Sequence, residues 1–506
     1  MTTLQQIFDD ARLNDTIPWA QNVQVVHPYT GEELEVRDYQ ITGLHEALAS
    51  SNNRFGIYDT MGAGKSLVAY LYIAYHAGLG NKVLVVMPPK LLEQFKKNFY
   101  GCLKGIPVWM DTYYGNPEER EQQREKFKVD CPQVVCTSPE FFKQDWLKFH
   151  YWDFNVIVQD EAKWMSNPDT QMFEATDHFM GGLGSKAALI MNGTPANTDL
   201  VNLFGYIQFT APGSYASLDH FKRRHVSYDK IYVKVKTKRG KYVNRTTYKI
   251  NGYQRHDELY KNLFKHGRRV EVPPPTKTEQ VFKEFSLSPE HMRMYRKLVE
   301  EKLIIFDDNT LIDVTTAGAM RTTCMQAIFD PSVLRLKEKG AVLETTREMV
   351  EECGGKVLLA AYHQSVVEKL VDEFKDMGAA ALYGKTSHSA AEKIKNRFMT
   401  DPEMKVLVIN YESGGVGVDG LQTVCSDMIA VEPVGIPGIH EQTVARLARQ
   451  GQTRGVRVWS LIATGTLYRR VVSDRIKRKD HIDTVVRQAG KLTKAELRAE
   501  LLGVEL

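Results

Sequence analysis

Eight consecutive residues, Asp59-Thr60-Met61-Gly62-Ala63-Gly64-Lys65-Ser66, limit what this chain can fold into. They follow a short apolar run, Phe55-Gly56-Ile57-Tyr58, that reads as a buried strand, and they precede Leu67 to Ala74, which reads as a helix. A strand, a glycine-bearing turn and a helix opening on Gly-Lys-Ser form a cradle for a triphosphate. Gly62 and Gly64 let the backbone turn several N–H groups toward one anion. The helix start adds the positive end of its dipole. Lys65 is placed to reach the β- and γ-phosphates, and the Ser66 hydroxyl to ligate Mg2+. The strict pattern Gly-x4-Gly-Lys-Ser/Thr has glycine where this chain has Asp59, so the match is a variant. Taken alone, the stretch also fits a plain Gly-rich turn.

The rest of the chain narrows the use of that cradle. Its 506 residues suffice for two or three domains with ordinary cores. Net charge is only +4, so a nucleic-acid surface must be a local patch. The six cysteines are scattered without a Cys-x-x-Cys pair, which points to reduced thiols in a cytoplasmic setting and away from structural zinc. The first ten residues are acidic and lack an apolar core, unlike a signal peptide. No apolar run approaches the roughly 18 residues of a membrane span, so no membrane partner is expected.

After the phosphate loop, apolar strands alternate with helices. Lys82–Met87, Val134–Thr137, Asn155–Gln159 and Ala187–Met191 read as strands. Near-continuous apolar strands separated by helices predict an α/β fold with a parallel sheet covered on both faces. Ligands of such sheets sit at the carboxyl ends of the strands. The turns at 59–66, 160–163 and 192–195 all fall there. Asp160, at the tip of a strand, is placed to hold the Mg2+ that Ser66 holds from the other side, and Glu161 to orient and deprotonate an attacking water. Adjacent acids at a strand end are otherwise ordinary solvated loop residues. Gln40, in a helix predicted from Val36 to Ala49, carries an amide suited to an adenine edge.

Residues 222–249 hold eleven Lys or Arg and a single acid, Asp229. Ile231, Val233 and Val235 alternate with Lys234, Lys236 and Lys238, and a turn at Arg239-Gly240-Lys241 leads into Tyr242 to Ile250. This predicts a basic β-hairpin that lies along a phosphate backbone or wedges a duplex, with Tyr232, Tyr242 and Tyr248 available for stacking. A solvated, lysine-rich hairpin is the plainer reading. Pro273-Pro274-Pro275 is a stiff break. Helices are expected over Ser288–Ile305 and about Thr315–Ile328, and then the strand–helix alternation restarts. Its strands are Lys356–Tyr362, Ala380–Tyr383, Lys405–Ile409, Asp427–Val431 and Val456–Leu461, without a second phosphate loop. Arg446 and Arg449, three apart on a helix predicted over His440–Arg449, are placed to stabilise charge on a γ-phosphate. The tail after Asp474 reads as charged helices without chemistry.

This ordered set resembles the superfamily 2 helicases, and within them the Swi/Snf-like (Rad54-type) double-stranded DNA translocases, over about residues 36–470. Arg37-Asp38-Tyr39-Gln40 resembles the Q motif, and Asp59 to Ser66 motif I, which in that family commonly carries Asp at its first position. Asp160-Glu161-Ala162-Lys163 is similar to motif II, and Asn192-Gly193-Thr194-Pro195-Ala196-Asn197 to motif III. Arg268-Arg269 with the proline-rich run resembles the segment between the two cores, Ser413 to Asp419 motif V, and Gln442 to Gln452 motif VI. Motif II of the family usually ends in His or Asp, and here it ends in Lys163, the residue that links the nucleotide site to motif III. The family's bulky protrusions are small, and no chromodomain or bromodomain fits. In this the chain resembles compact bacteriophage-encoded helicases that remodel branched DNA more than chromatin remodellers.

The resemblance implies two RecA-like parallel-sheet domains in tandem, with a basic hairpin insertion and helical additions. The expected divisions are an appendage at 1–36, domain 1 at 37–210, the insertion at 211–272, domain 2 at 273–473 and a tail at 474–506. It implies an ATP-dependent DNA helicase or translocase acting on forked or branched duplexes. Replication or recombination proteins are further candidate partners. Implied catalytic residues are Lys65, Glu161, Arg446 and Arg449. ATP contacts fall to Gln40, Met61, Gly62, Ala63, Gly64, Lys65, Ser66, Asp419 and Gln452, with Ser66 and Asp160 on Mg2+. Candidate DNA contacts are Lys234, Lys236, Lys238, Arg239, Lys241, Arg245, Thr137 and Ser413. An RNA helicase of the DEAD-box kind and an ATP-gated DNA clamp without unwinding remain as alternatives.

Overall fold

Strands of the first half carry apolar side chains on both faces, and the computed structural model shows why. It describes residues 2–28, 30–181, 187–196, 199–236, 242–301, 303–305, 311–313, 317–411 and 420–486. Val83 and Val85 pack into one core while Leu84 and Val86 pack into another on the opposite face. Val156 and Val158 are likewise divided from Ile157. A strand buried on both sides has no polar face to show, so its alternation disappears.

The chain divides into two units. One comprises residues up to Val272 with the end of the last helix from His481, and the other runs from Pro273 to Asp480. The first is built on a seven-stranded sheet in the order Gly267–Arg268, Arg54–Ile57, Ala187–Met191, Phe154–Gln159, Lys82–Val86, Val134–Thr137, Met110–Tyr113. Every pairing is parallel. Register sets Ile57 opposite Met191 and Gln159 opposite Ile190, so the turns after these three strands leave the sheet side by side. The helix that follows the phosphate loop, Lys65–Gly78, is buried on every face from Leu67 to Ala77. The N-terminal segment supplies its outer cover: Leu4, Ile7, Phe8 and Ile17 belong to the same core, and the Phe8 ring meets Tyr75 edge-on at 5.4 Å.

The second unit holds a six-stranded parallel sheet in the order Thr278–Phe285, Val456–Ala463, Cys425–Ala430, Lys356–Ala361, Val406–Asn410, Ala380–Leu382. Both sheets are of the expected α/β, parallel class. Three strands of these two sheets escaped sequence reading. Met110–Tyr113 is half polar, Gly267–Arg268 is two residues long, and Thr278–Phe285 is a polar edge strand. The helix expected over Ser288–Ile305 ends at Glu301, and Leu303–Ile305 pairs instead with Leu311–Asp313. A Leu-Ile-Ile run prefers a pleated strand to a helix end.

The hairpin forms as an isolated antiparallel pair, Val226–Lys236 with Tyr242–Tyr253. Register sets Lys234 opposite Asn244, Lys236 opposite Tyr242 and Arg245 opposite Val233. Its base is tied down by His225, which is buried with Nε2 2.7 Å from Tyr215 Oη. Lys238, Arg239 and Lys241 lie outside the described residues, as do Ser413 and Asp419. Among the described residues no helix is long and apolar enough to cross a membrane. None of them forms a cluster of three or more metal-ligating His, Cys, Asp or Glu.

Candidate active site

The site is assembled at the carboxyl edge of the first sheet. Gly64 caps the helix with φ +77°, and a Cβ there would meet Gln40 Nε2 at 2.2 Å. Only glycine satisfies both the left-handed backbone and that contact. Gln40 is buried, with Nε2 donating to Ala63 O at 3.1 Å and Oε1 accepting from Arg37 N–H at 3.0 Å. Tyr39 Oη donates to the same Ala63 carbonyl at 3.0 Å. The amide expected at an adenine edge is therefore engaged inside the chain and braces the phosphate loop from behind.

Lys65 Nζ donates to the carbonyls of Asp59 at 2.7 Å and Thr60 at 3.1 Å. Burial pulls its pKa down, and the charges of Glu161, Asp160 and Asp59 oppose that shift. An ammonium held by carbonyls in a site facing three acids is ready to exchange those acceptors for phosphate oxygens. Gly193 lies directly against it: a Cβ there would stand 3.2 Å from Lys65 Nζ and 3.3 Å from Met61 Cγ. Motif III thus touches motif I, and a side chain at 193 would press on Lys65 and Met61.

Asp160 follows its strand without a break, its N–H donating to Val86 O at 3.0 Å. Burial, with the neighbouring Glu161 charge, pushes its carboxyl up to about 7. Such a carboxyl is ionised again by a dication beside it. Its oxygen and the exposed Ser66 hydroxyl are hard donors of the kind Mg2+ takes. The residues present fit that ion, which would neutralise charge on a bound triphosphate.

Glu161 is held by its successor. Glu161 adopts φ +51°, an uncommon conformation for a side-chain-bearing residue, and its N–H donates to Asp160 Oδ1 at 2.9 Å. Ala162 is pinned at both ends: its N–H donates to Met191 O at 3.1 Å and its carbonyl accepts from Tyr206 Oη at 2.9 Å. Tyr206 Oη in turn accepts from Asn192 Nδ2 at 2.5 Å, and Asn192 Oδ1 accepts from Thr194 N–H at 2.9 Å. Tyr206 and Asn192 are fully buried. The carbonyl beside Glu161 is thereby wired to motif III through a tyrosine in the next helix, Leu203–Thr210. Sequence reasoning missed Tyr206, which carries no motif and sits in a mostly apolar helix. Tyr206→Phe keeps the ring but leaves two buried polar groups without this partner, each costing about 1–3 kcal/mol. On the expectation that Glu161 is the base of an ATPase, kcat for ATP hydrolysis should fall about ten- to a hundredfold at near-normal KM, because Glu161 is displaced while the glycine turn and Lys65 are left in place. Steady-state turnover, set beside Tm, checks this. An unchanged kcat with a lowered Tm would confine Tyr206 to stability.

Residues 39–333, more than half of the chain, match the SNF2-related domain family. This chain belongs to the SNF2-related family. Motifs I, II and III lie inside the matched SNF2-related segment, whereas Arg446, Arg449 and Gln452 lie beyond it. Curated relatives similar to it include the nuclear protein STH1/NPS1 of Saccharomyces cerevisiae, 23% identical over 491 residues, which take in 90% of this chain and 35% of the yeast protein. A Mycoplasma pneumoniae protein described as an uncharacterized ATP-dependent helicase is 23% identical over 463 residues, 88% of this chain and 42% of that one. The chain spans well under half the length of these relatives. Among solved structures, the Sulfolobus solfataricus SWI2/SNF2 ATPase core in complex with dsDNA matches at 21% identity and a TM-score of 0.39, over 96% of this chain and 100% of that one.

In the second unit the expected helix face of Arg446 and Arg449 does not exist. The helix Pro437–Val444 stops before them, and both lie in successive turns. Gln452 holds the segment that follows. It is buried, and its Nε2 donates to Leu447 O at 3.3 Å and to Cys425 O at 2.9 Å, taking a carbonyl that a continuing helix would use. Its Oε1 accepts from the N–H groups of Thr453 and Arg454. The Gln452 amide is thus spent on shaping the loop that presents the arginines. Thr137 is fully buried, and its hydroxyl donates to Tyr113 O at 2.8 Å, which leaves no surface for a phosphate.

Proposed function

We propose that this chain is an ATP-dependent translocase on duplex DNA that remodels forked or branched substrates. The observation that carries the ATPase reading is the convergence of Lys65, Asp160 and the doubly pinned Glu161 segment at one sheet edge, around a helix N-terminus. Lys65 and the N–H groups of the loop bind the triphosphate, Ser66 and Asp160 hold Mg2+, and Glu161 orients the attacking water. Arg446 and Arg449 of the second unit are assigned to the charge that develops on the γ-phosphate. The relatives' printed names, an ATP-dependent helicase among them, support the same class.

The basic hairpin is assigned to DNA. Its described side chains include Tyr232, 70% exposed, with Lys230 Nζ 5.5 Å from the ring centroid. A long two-stranded arm bearing this density of positive charge is stable beside a polyanion and self-repelling without one. Replacing residues 230–250 with a short turn is expected to leave DNA-independent ATP hydrolysis intact. Strand displacement on forks and branch migration of four-way junctions should drop steeply. The test is a substrate panel of plain duplex, forks, junctions, single strands and RNA, reading hydrolysis and displacement together. Unchanged displacement would remove the hairpin from the reaction, and stimulation by RNA alone would replace the reading with an RNA helicase.

A further inference from the structure

Asp59, the position at which the phosphate loop departs from the strict glycine, is almost fully buried. A buried carboxylate is costly unless it is used, and burial raises the pKa of this one against the pull of Arg268. Its Oδ1 accepts from the Val270 N–H at 2.7 Å and lies 3.5 Å from Arg268 Nε. Thr60 repeats the pattern. Its N–H donates to Val270 O at 3.0 Å, and its Oγ1 accepts from the Val272 N–H at 3.0 Å. Arg269 Nη1 donates to Tyr58 O at 2.8 Å and to Gly193 O at 3.2 Å. Upstream, Gly267 and Arg268 pair in parallel with Gly56 and Ile57, the strand that leads into the loop. Residues 267–272 therefore run as an edge strand along the first sheet and continue, bond by bond, along the first two residues of the phosphate loop. The next residues, Pro273-Pro274-Pro275, open the second unit, and a proline run transmits displacement better than it absorbs it.

We propose that Asp59 is a positioning residue that fastens the segment 268–272 to the phosphate loop, so that a shift of the loop on gaining or losing a triphosphate is delivered to the chain entering the second unit. The inference rests on the reading of this protein as an ATP-driven translocase. It gives the Asp59 variant a use: a glycine there would free the loop from the connecting segment, whereas Asp59 makes the two move as one body. Arg269, bonded to the carbonyls on either side of the Lys65 site, adds motif III to the same body.

The test uses the full chain carrying Asp59→Gly, which restores the strict pattern. Thr60→Val, which removes the acceptor for Val272 and the hydroxyl's 3.4 Å bond to Val270 O but keeps the Thr60 N–H bond, serves as a milder variant. Base pairs travelled per ATP hydrolysed, from triplex displacement on duplex DNA, are expected to fall about tenfold in Asp59→Gly and less in Thr60→Val. Trypsin cleavage after Arg268 and Arg269 is read in parallel, with and without Mg2+ and a non-hydrolysable ATP analogue. The wild type should show an analogue-dependent change that Asp59→Gly loses. Wild-type coupling and wild-type cleavage in Asp59→Gly would overturn the proposal. If Asp59→Gly does not fold, Thr60→Val carries the same comparison. If the wild type hydrolyses no ATP on DNA, the translocase reading fails. The latch then stands or falls on whether the wild type's analogue-dependent cleavage change disappears in the variants.

Discussion

Glu161→Gln is expected to lower the rate of ATP hydrolysis by about 10²- to 10⁴-fold, the range for loss of a positioned general base. The substitution is nearly isosteric, and the backbone that aims it is held from outside the side chain. Ala162 is fixed by Met191 O and Tyr206 Oη, and the Glu161 N–H by Asp160. The amide should therefore occupy the place of the carboxylate without disturbing the loop. Lys65 and the helix N-terminus stay intact, so binding of a fluorescent ATP analogue should be retained, and tighter accumulation of unhydrolysed ATP is expected in single-turnover experiments. Normal turnover in Glu161→Gln would refute the assignment of the base. Lost nucleotide binding would instead show that the carboxylate shapes the cradle.

The second large effect is expected from the arginines of the second unit. Replacing both Arg446 and Arg449 with alanine should slow hydrolysis by about 10³- to 10⁵-fold, the contribution of an arginine that meets transition-state charge on the γ-phosphate. Both lie where the helix Pro437–Val444 has given way to turns, with the Arg446 N–H donating to Thr443 O at 3.1 Å and the Gln452 N–H to Arg449 O at 3.0 Å. A helix face would offer two arginines in one fixed orientation. The turns offer them separately, so the single variants should differ, and the one with the larger loss identifies the residue on the phosphate. Single-turnover hydrolysis at saturating ATP and duplex DNA is the measurement. Equal, small losses in both singles and in the double variant would release these residues from catalysis.

The strand–turn–helix unit around Gly62 and Gly64 was legible because its determinants are consecutive. Strand, turn and helix are encoded within twenty residues, and a glycine pattern is a local necessity of backbone geometry. The parallel sheets were legible for the same reason, through apolar runs of strand length bounded by turns. The short or polar edge strands Gly267–Arg268 and Thr278–Phe285 were not, because an edge strand keeps one side in solvent and carries little apolar signal. The helix assigned to Arg446 and Arg449 ends before them, at Val444. Gln452 takes the Leu447 carbonyl, a competition that helical periodicity does not register.

Sequence alone determined that a glycine-rich strand–turn–helix and an acid pair sit at the edge of a parallel sheet, and that a second sheet domain follows a proline break. Only the tertiary structure decided what Asp59, Tyr206, Gln40 and Gln452 do. Asp59 meets Val270, Tyr206 meets Ala162 and Gln452 meets Cys425 across long stretches of chain. A buried polar group must find a partner wherever the fold brings one. That partner is fixed by sheet order and register, so the residues that aim the chemistry leave almost no mark on the local sequence.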